Sequence, residues 1–198
     1  MVFEAFTRLI KEYRKDPDSF WLESDLKVHL WQCLHECLGK RFRVHTEGEV
    51  QENRRKHADV VIISKKREES WNAYAERGEK RWEPYDAVIE VKYFGKRTGR
   101  KVRQRSEPTE LDHRWVENDL KKLEYMKNEK KAKRAYLLII DYHKKLGEEN
   151  LGIPEFPKEL RRKSQSPNLR GVNIIQFPSS EGLLEEQNAS RYLNGRQY

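Results

Sequence analysis

Apolar side chains recur three and four positions apart in three stretches of the chain, at residues 2–15, 20–38 and about 111–130. That spacing gathers the apolar side chains on one face of a helix. Asp16 and Pro17 interrupt the pattern after the first stretch, and Gly39 ends the second. The pattern therefore predicts three amphipathic helices. The inward face predicted for the third helix comprises Trp115, Val116, Leu120, Leu123 and Met126.

Five shorter runs that are bounded by polar residues predict strands, and the runs at 57–63, 86–94 and 135–142 are typical of strands buried on both faces. The five runs lie at residues 42–44, 57–63, 86–94, 135–142 and 172–177. The first three can form an antiparallel meander, and the third helix can cross over to a parallel fourth strand. The predicted fold class is α/β, with one mixed central sheet flanked by helices.

The length of 198 residues is typical of a single domain. Its predicted parts are an N-terminal helix and linker (1–19), a core (20–178) that contains an insertion (64–85), and a polar C-terminal tail (179–198). The insertion carries Trp71, Tyr74 and Trp82. These aromatic side chains could stack on exposed nucleic-acid bases or form a small core of the insertion itself.

Lysine and arginine together outnumber aspartate and glutamate, 41 to 33, which gives a formal net charge of +8. This balance favours polyanionic partners such as nucleic acids, although it does not identify one by itself.

Cys33 and Cys37 lie four apart in an apolar helical pattern, which favours free thiols in a reducing compartment. No apolar run approaches the length needed to cross a membrane. We therefore expect a soluble cytoplasmic protein without a membrane partner.

Two opposite charges interrupt the third predicted strand. Glu90 and Lys92 are two positions apart, so their side chains point to the same face of the sheet. Asp59, near the start of the second strand, would join them if these two strands pair. Two carboxylates and a lysine at one place are the chemistry of a magnesium-dependent phosphodiester hydrolase. A structural ion pair, or solvated positions at a strand edge, is the alternative.

Asp59 and the Glu90-x-Lys92 triplet, at the ends of adjacent strands that follow a helix, resemble the motif of the PD-(D/E)xK nuclease superfamily. The resemblance extends through the element order over roughly residues 20–178. It departs from the motif at Ala58, where the superfamily's name has a proline that takes no part in the chemistry. It implies a restriction-endonuclease-like fold and a Mg²⁺-dependent endonuclease that hydrolyses phosphodiester bonds in DNA, with Mn²⁺ as a substitute cation.

The resemblance also implies a role for each residue of the site. Asp59, Glu90 and the backbone carbonyl of Val91 would be the metal ligands. Lys92 would orient the attacking water or help to deprotonate it, and would offset charge on the phosphate. Glu23 matches a glutamate that members of the superfamily often carry on the first core helix. Acidic residues also favour helix N-termini for electrostatic reasons, so Glu23 has a second explanation.

Two basic clusters flank the strands that carry the motif, one before Asp59 and one after the Glu90 strand. Their members are Arg54, Arg55, Lys56, Lys96, Arg97, Arg100, Lys101, Arg103 and Arg105. Because they would lie beside the metal ligands, we expect them to neutralise phosphates and to make binding sensitive to salt. A solvated loop is the alternative for the second cluster.

The leading interpretation is a metal-dependent nuclease that acts on DNA. A homodimer would suit it, because cutting both strands of a duplex benefits from two sites. The alternatives are a non-catalytic nucleic-acid-binding or complex-forming module on the same scaffold, and a structural α/β protein with an incidental ion pair.

Asp119, in the third helix, is interpreted as a salt-bridge partner or a solvent-facing residue. The chain lacks the phosphate-loop and Gly-x-Ser-x-Gly motifs, which excludes phosphate-loop ATPases and hydrolases with a nucleophile elbow.

Overall fold

The structure, a computed structural model, describes residues 1–16, 19–20, 22–49, 57–78, 84–94, 110–141 and 172–177. Its helices are α1 (Val2–Lys15), α2 (Glu23–Leu38), α3 (Lys65–Glu76) and α4 (Glu110–Asn128), and a 3-10 turn at Gly39–Arg41 follows α2. Its strands are β1 (Phe42–Glu49), β2 (His57–Ser64), β3 (Ala87–Phe94), β4 (Ala135–Asp141) and β5 (Val172–Phe177). None of the described helices is both long enough and apolar enough to cross a membrane.

The five strands form one sheet in the order β1-β2-β3-β4-β5. The pairs β1–β2 and β2–β3 are antiparallel, whereas β3–β4 and β4–β5 are parallel. Helix α4 makes the crossover between β3 and β4, as a parallel connection requires. The mixed sheet, the meander and the helical crossover confirm the predicted fold class.

Helices cover both faces of this sheet, and each face has its own apolar cluster. On one face, α1 and α2 pack against β-strand residues such as Val60, Ile89 and Tyr136. On the other face, α4 packs against residues such as Val61 and Val88. Alternate residues of β4 enter opposite clusters because successive strand side chains point to opposite faces. The continuous apolar runs in the sequence follow from this two-sided burial.

The predicted helices and strands are confirmed, with three differences. Strand β1 continues to Glu49, beyond the run predicted at residues 42–44. Helix α3 was not predicted, because half of its residues are charged and none of its residues is buried, so it has no apolar stripe to detect. Trp115 was predicted to face inward but is 44% exposed. It lies at the edge of the α4 stripe formed by Val116, Leu120 and Leu123, which are buried. The predicted C-terminal tail (179–198) lies outside the described residues.

The region where β1, β2 and β3 meet positions the candidate site. The β2–β3 pairs end at Val60 and Ile89, and the same register continued by one residue sets Asp59 opposite Glu90. On the other side of β2, Glu47 interrupts the ladder with a positive φ of 57°. Gly48 follows, and a Cβ added there would lie 2.3 Å from Cγ1 of Val61. Glycine is therefore required for the close approach of β1 to β2 beside Asp59.

Candidate functional site

Asp59 lies where β2 separates from β3, and its carboxylate takes the place of the missing ladder partner. Its Oδ2 accepts a hydrogen bond of 2.8 Å from the backbone N–H of Val91. Its Oδ1 lies 2.7 Å from Nζ of Lys27, a residue of α2. Each of the two oxygens is therefore engaged, one by the neighbouring strand and the other by a helix. These contacts fix the carboxylate beside β3.

Glu90 is the one charged residue that is buried among those the structure describes, with 1% of its surface exposed. Its Oε2 lies 2.7 Å from Nζ of Lys122, which comes from α4. Its Oε1 is buried and has no hydrogen-bond partner within the described part of the chain. Burial, and then the nearby Asp59 carboxylate, raise the pKa of Glu90 well above its ordinary value, although Lys122 opposes this.

Lys92 lies two residues further along β3 and reaches carboxylates from both helix layers. Its Nζ is 2.9 Å from Oδ2 of Asp119 on α4 and 3.8 Å from Oε2 of Glu23 on α2. Burial by itself lowers the pKa of Lys92, but Asp119 and Glu23 outweigh it, so that the pKa is raised. These neighbours favour the ammonium form of Lys92, which suits it to orienting an anion or a water.

The first turn of α2 brings Glu23 to the site. The helix begins there because the Asp25 carboxylate accepts a hydrogen bond of 2.8 Å from the backbone N–H of Leu22, which caps the helix end. Oε1 of Glu23 lies 3.3 Å from Nζ of Lys27, four residues later on the same helix face. Burial tends to lower the pKa of Lys27, but Asp59 and Glu23 together raise it.

These contacts join four carboxylates and three lysines into one cluster, which we call the acid–lysine network. Its members are Glu23, Asp59, Glu90, Asp119, Lys27, Lys92 and Lys122. Four residues predicted for catalysis from sequence, Glu23, Asp59, Glu90 and Lys92, are thus brought together. The three others were not predicted for the site.

Each of the three additional residues is at the site because of tertiary packing. Lys27 follows Glu23 at helical i,i+4 spacing, and this is the signal that could have associated it with the motif. Asp119 and Lys122 are on α4, and only the packing of α4 against β3 brings them to Glu90 and Lys92. Asp119 does form salt bridges, as expected, but it forms them with the lysine of the motif.

The nine basic residues of the two predicted phosphate-binding clusters lie outside the described residues. Trp82 lies outside them as well. Trp71 packs with its ring centroid 5.7 Å from that of Tyr85 and contacts the α4-side cluster. Trp71 is therefore half-buried and packs against the core of the domain.

The donor set of the network has the chemistry that a hard divalent cation prefers. Carboxylate and carbonyl oxygens suit Mg²⁺, which usually takes one or two carboxylates and keeps several waters. Oε1 of Glu90, buried without a hydrogen-bond partner among the described residues, is an oxygen that such a cation would satisfy. No group of three or more His, Cys, Asp or Glu side chains is arranged to hold a metal ion within the described ranges. The ligands that the resemblance implies are the two carboxylates of Asp59 and Glu90 and the backbone carbonyl of Val91.

Comparison with known proteins does not identify a family for this chain. No protein-family model matches the chain, and no curated protein matches it. A solved structure that is similar is that of SfsA from Pyrococcus furiosus in complex with Ca²⁺, at 17% sequence identity and a TM-score of 0.37. The aligned region covers 77% of this chain and 56% of that protein, so the chain spans little more than half its length. A TM-score of this size supports no inference about function.

Proposed function

We propose that the protein is a Mg²⁺-dependent nuclease that hydrolyses phosphodiester bonds in DNA. The observation that carries the proposal is the pair of acidic side chains at the end of the β2–β3 ladder. Glu90 is buried with one carboxylate oxygen unpartnered among the described residues, and Asp59 is fixed beside it by the Val91 amide. The Asp59 carboxylate raises the pKa of the buried Glu90, so the two negative charges repel each other, and a bound divalent cation would offset that repulsion.

Each residue has a separate role in the proposed mechanism. Asp59, Glu90 and the Val91 carbonyl would hold the cation. The Val91 N–H points to Asp59, and since the N–H and C=O of one strand residue point to the same side, its carbonyl also faces this region. Bound Mg²⁺ would supply Lewis-acid stabilisation of the negative charge that develops on the phosphate.

Lys92 would orient the attacking water and offset charge on the phosphate. Its ammonium is held on one side by Asp119 and on the other by Glu23, so it is positioned without the substrate. Glu23 would act through Lys92 and Lys27 at the start of α2. The net charge of +8 supports a polyanionic substrate, and the predicted basic clusters would bind its backbone.

A second candidate function is favoured by one observation: every carboxylate of the acid–lysine network already contacts a lysine. Lys27 lies 2.7 Å from Asp59, and Lys122 lies 2.7 Å from Glu90. A scaffold in which lysines satisfy the acidic pair could bind nucleic acid without cutting it. This candidate predicts salt-dependent DNA binding without any turnover stimulated by Mg²⁺.

A cleavage panel separates the two candidates. The purified protein is incubated with duplex, branched, flapped and single-stranded DNA and with RNA, in Mg²⁺, in Mn²⁺ and in EDTA. The nuclease is expected to cut at least one DNA with either cation and none in EDTA. The variants D59N, E90Q and K92M should abolish cleavage while binding DNA, with Glu76→Gln, an exposed acid on α3, as the matched control.

The choice of Asp59→Asn matters because Asp59 has two roles. Asparagine keeps a carbonyl oxygen that can accept from the Val91 N–H, so the fold contact survives while the charge is lost. Circular dichroism should show that D59N is folded. Cleavage by the wild type at the level of all three variants would refute the nuclease, and DNA binding without cation-stimulated cleavage would establish the second candidate.

A further inference from the structure

Helix α4 presents two charged residues to the Glu-x-Lys pair of β3. Glu90 and Lys92 lie about 6.6 Å apart along one face of the strand. Asp119 and Lys122 lie at i,i+3 on the helix, about 4.5 Å apart along its axis. The two pairs meet with opposite charges facing each other, since Lys122 contacts Glu90 and Asp119 contacts Lys92.

Lys122 makes contacts beyond this pairing. Its Nζ donates a hydrogen bond of 2.9 Å to the backbone oxygen of His57, at the start of β2. It also lies 3.7 Å from Oδ1 of Asp119. One ammonium therefore ties α4 to β2 and to the buried carboxylate of β3. As a result Glu90 has one oxygen engaged by the helix and the other, Oε1, left for a different partner.

We propose that Asp119 and Lys122 are positioning residues of the site, which act through Lys92 and Glu90 respectively. This inference rests on the proposed function. Lys122 holds Oε2 of Glu90 and leaves Oε1 available, so that Oε1 would be free to bind a divalent cation, and Asp119 holds the Lys92 ammonium in place for the phosphate. Groups that orient a metal ligand in this way typically change metal affinity or activity by about 10–100-fold when they are removed.

A merely structural ion pair predicts something different. In that case, removing Lys122 would lower stability and leave the cation affinity of the folded protein unchanged. If Lys122 instead competed with the cation for Glu90, its removal would raise the affinity. Positioning predicts a loss of affinity, so the direction of the change distinguishes all three.

The test measures Mn²⁺ binding by the loss of the free-ion electron paramagnetic resonance signal, which needs no substrate. K122M should lower Mn²⁺ affinity about 10-fold or more in protein that is folded by circular dichroism. K122R, which keeps the positive charge and the donors, should recover part of the affinity. The matched control is K121M on the same helix, because Lys121 is 66% exposed and pairs with Glu117 away from the network.

A second variant covers the case in which K122M does not fold. Asp119→Asn keeps the shape of the side chain and removes the charge that faces Lys92. It should lower kcat about 10-fold or more at saturating Mg²⁺ while Mn²⁺ affinity changes by less than about threefold. This separation is expected because Asp119 acts on the lysine and Lys122 acts on the metal ligand.

Unchanged or increased Mn²⁺ affinity in folded K122M would overturn the proposal for Lys122, and unchanged kcat in D119N would overturn it for Asp119. Failure of the proposed function gives a separate result. If the wild type binds Mn²⁺ but cuts no nucleic acid, the nuclease is refuted while the K122M measurement still decides the positioning role. If the wild type binds no Mn²⁺, the positioning role of Lys122 is refuted as well.

Discussion

Replacing Glu90 with glutamine should make the metal-free protein more stable. The side chain keeps its shape and loses its charge, in a position that is 1% exposed and where one carboxylate oxygen has no hydrogen-bond partner among the described residues. Burial and the Asp59 carboxylate raise the pKa of Glu90 in spite of Lys122, so the charged form is disfavoured by folding. Removing the charge of a buried carboxylate with one unpartnered oxygen relieves a desolvation cost of about 2 kcal/mol. For a domain of this size, that raises Tm by about 4–8 °C.

The sign of the pH dependence follows from the direction of this pKa shift. Below the ordinary glutamate pKa of 4.5, Glu90 is protonated in both the folded and the unfolded chain, and the charge has no cost. As the pH rises above that value, the unfolded chain loses its proton first, so the stability of the wild type falls relative to the variant. The advantage of E90Q should therefore appear at neutral pH and vanish in acid. Urea unfolding followed by tryptophan fluorescence measures it.

A divalent cation should make the wild type more stable than E90Q. If Glu90 is a metal ligand, the wild type gains about 2.7 kcal/mol at a cation concentration 100 times its Kd, and E90Q gains much less. The same unfolding curves recorded in EDTA and in Mn²⁺ measure this difference. The exposed-site control E76Q should stay within about 0.5 kcal/mol of the wild type in both. If E90Q is less stable than the wild type in EDTA at neutral pH, the Lys122 ion pair outweighs the cost of burying the charge. If the difference in stability between the two proteins is the same with and without Mn²⁺, metal binding by Glu90 is refuted.

Two further predictions test the packing around the network. Gly48→Ala should lower the free energy of unfolding by about 1–3 kcal/mol, because the added Cβ collides with the buried Val61 side chain. The control is Thr46→Ala at a nearby exposed position, which should leave the free energy of unfolding unchanged. Equal stability of G48A and the wild type in urea would contradict the close approach of β1 to β2. Burial raises the pKa of Cys33 to about 12 and also raises that of Cys37, which is less buried. Iodoacetamide at pH 8 should therefore modify Cys37 before Cys33 in the native protein, and peptide mass mapping that found Cys33 modified first would contradict the structure.

The sequence predicts the sheet because burial on both faces leaves a direct mark on composition. The apolar runs of β2 and β3 contain three charges, Asp59, Glu90 and Lys92, and charges in such runs are conspicuous. The sequence gives no comparable signal for Lys27 and Lys122, because a lysine on an amphipathic helix cannot be distinguished from a solvent-exposed lysine before the packing of the helix is known. Their place in the site depends on how the helices pack against the strands, which local periodicity does not encode.

The acid–lysine network also explains why the site lies at the end of the β2–β3 ladder. Helix α2 packs on one face of the sheet and α4 on the other, so a paired sheet separates their side chains. The ladder ends at Val60 and Ile89, and just beyond it Lys92 contacts Glu23 from one layer and Asp119 from the other. Because Asp59 takes over the Val91 N–H there, the separation of the strands leaves no unpaired donor at that point. The gap that lets the two layers meet is therefore closed by the same carboxylate that we propose as a metal ligand.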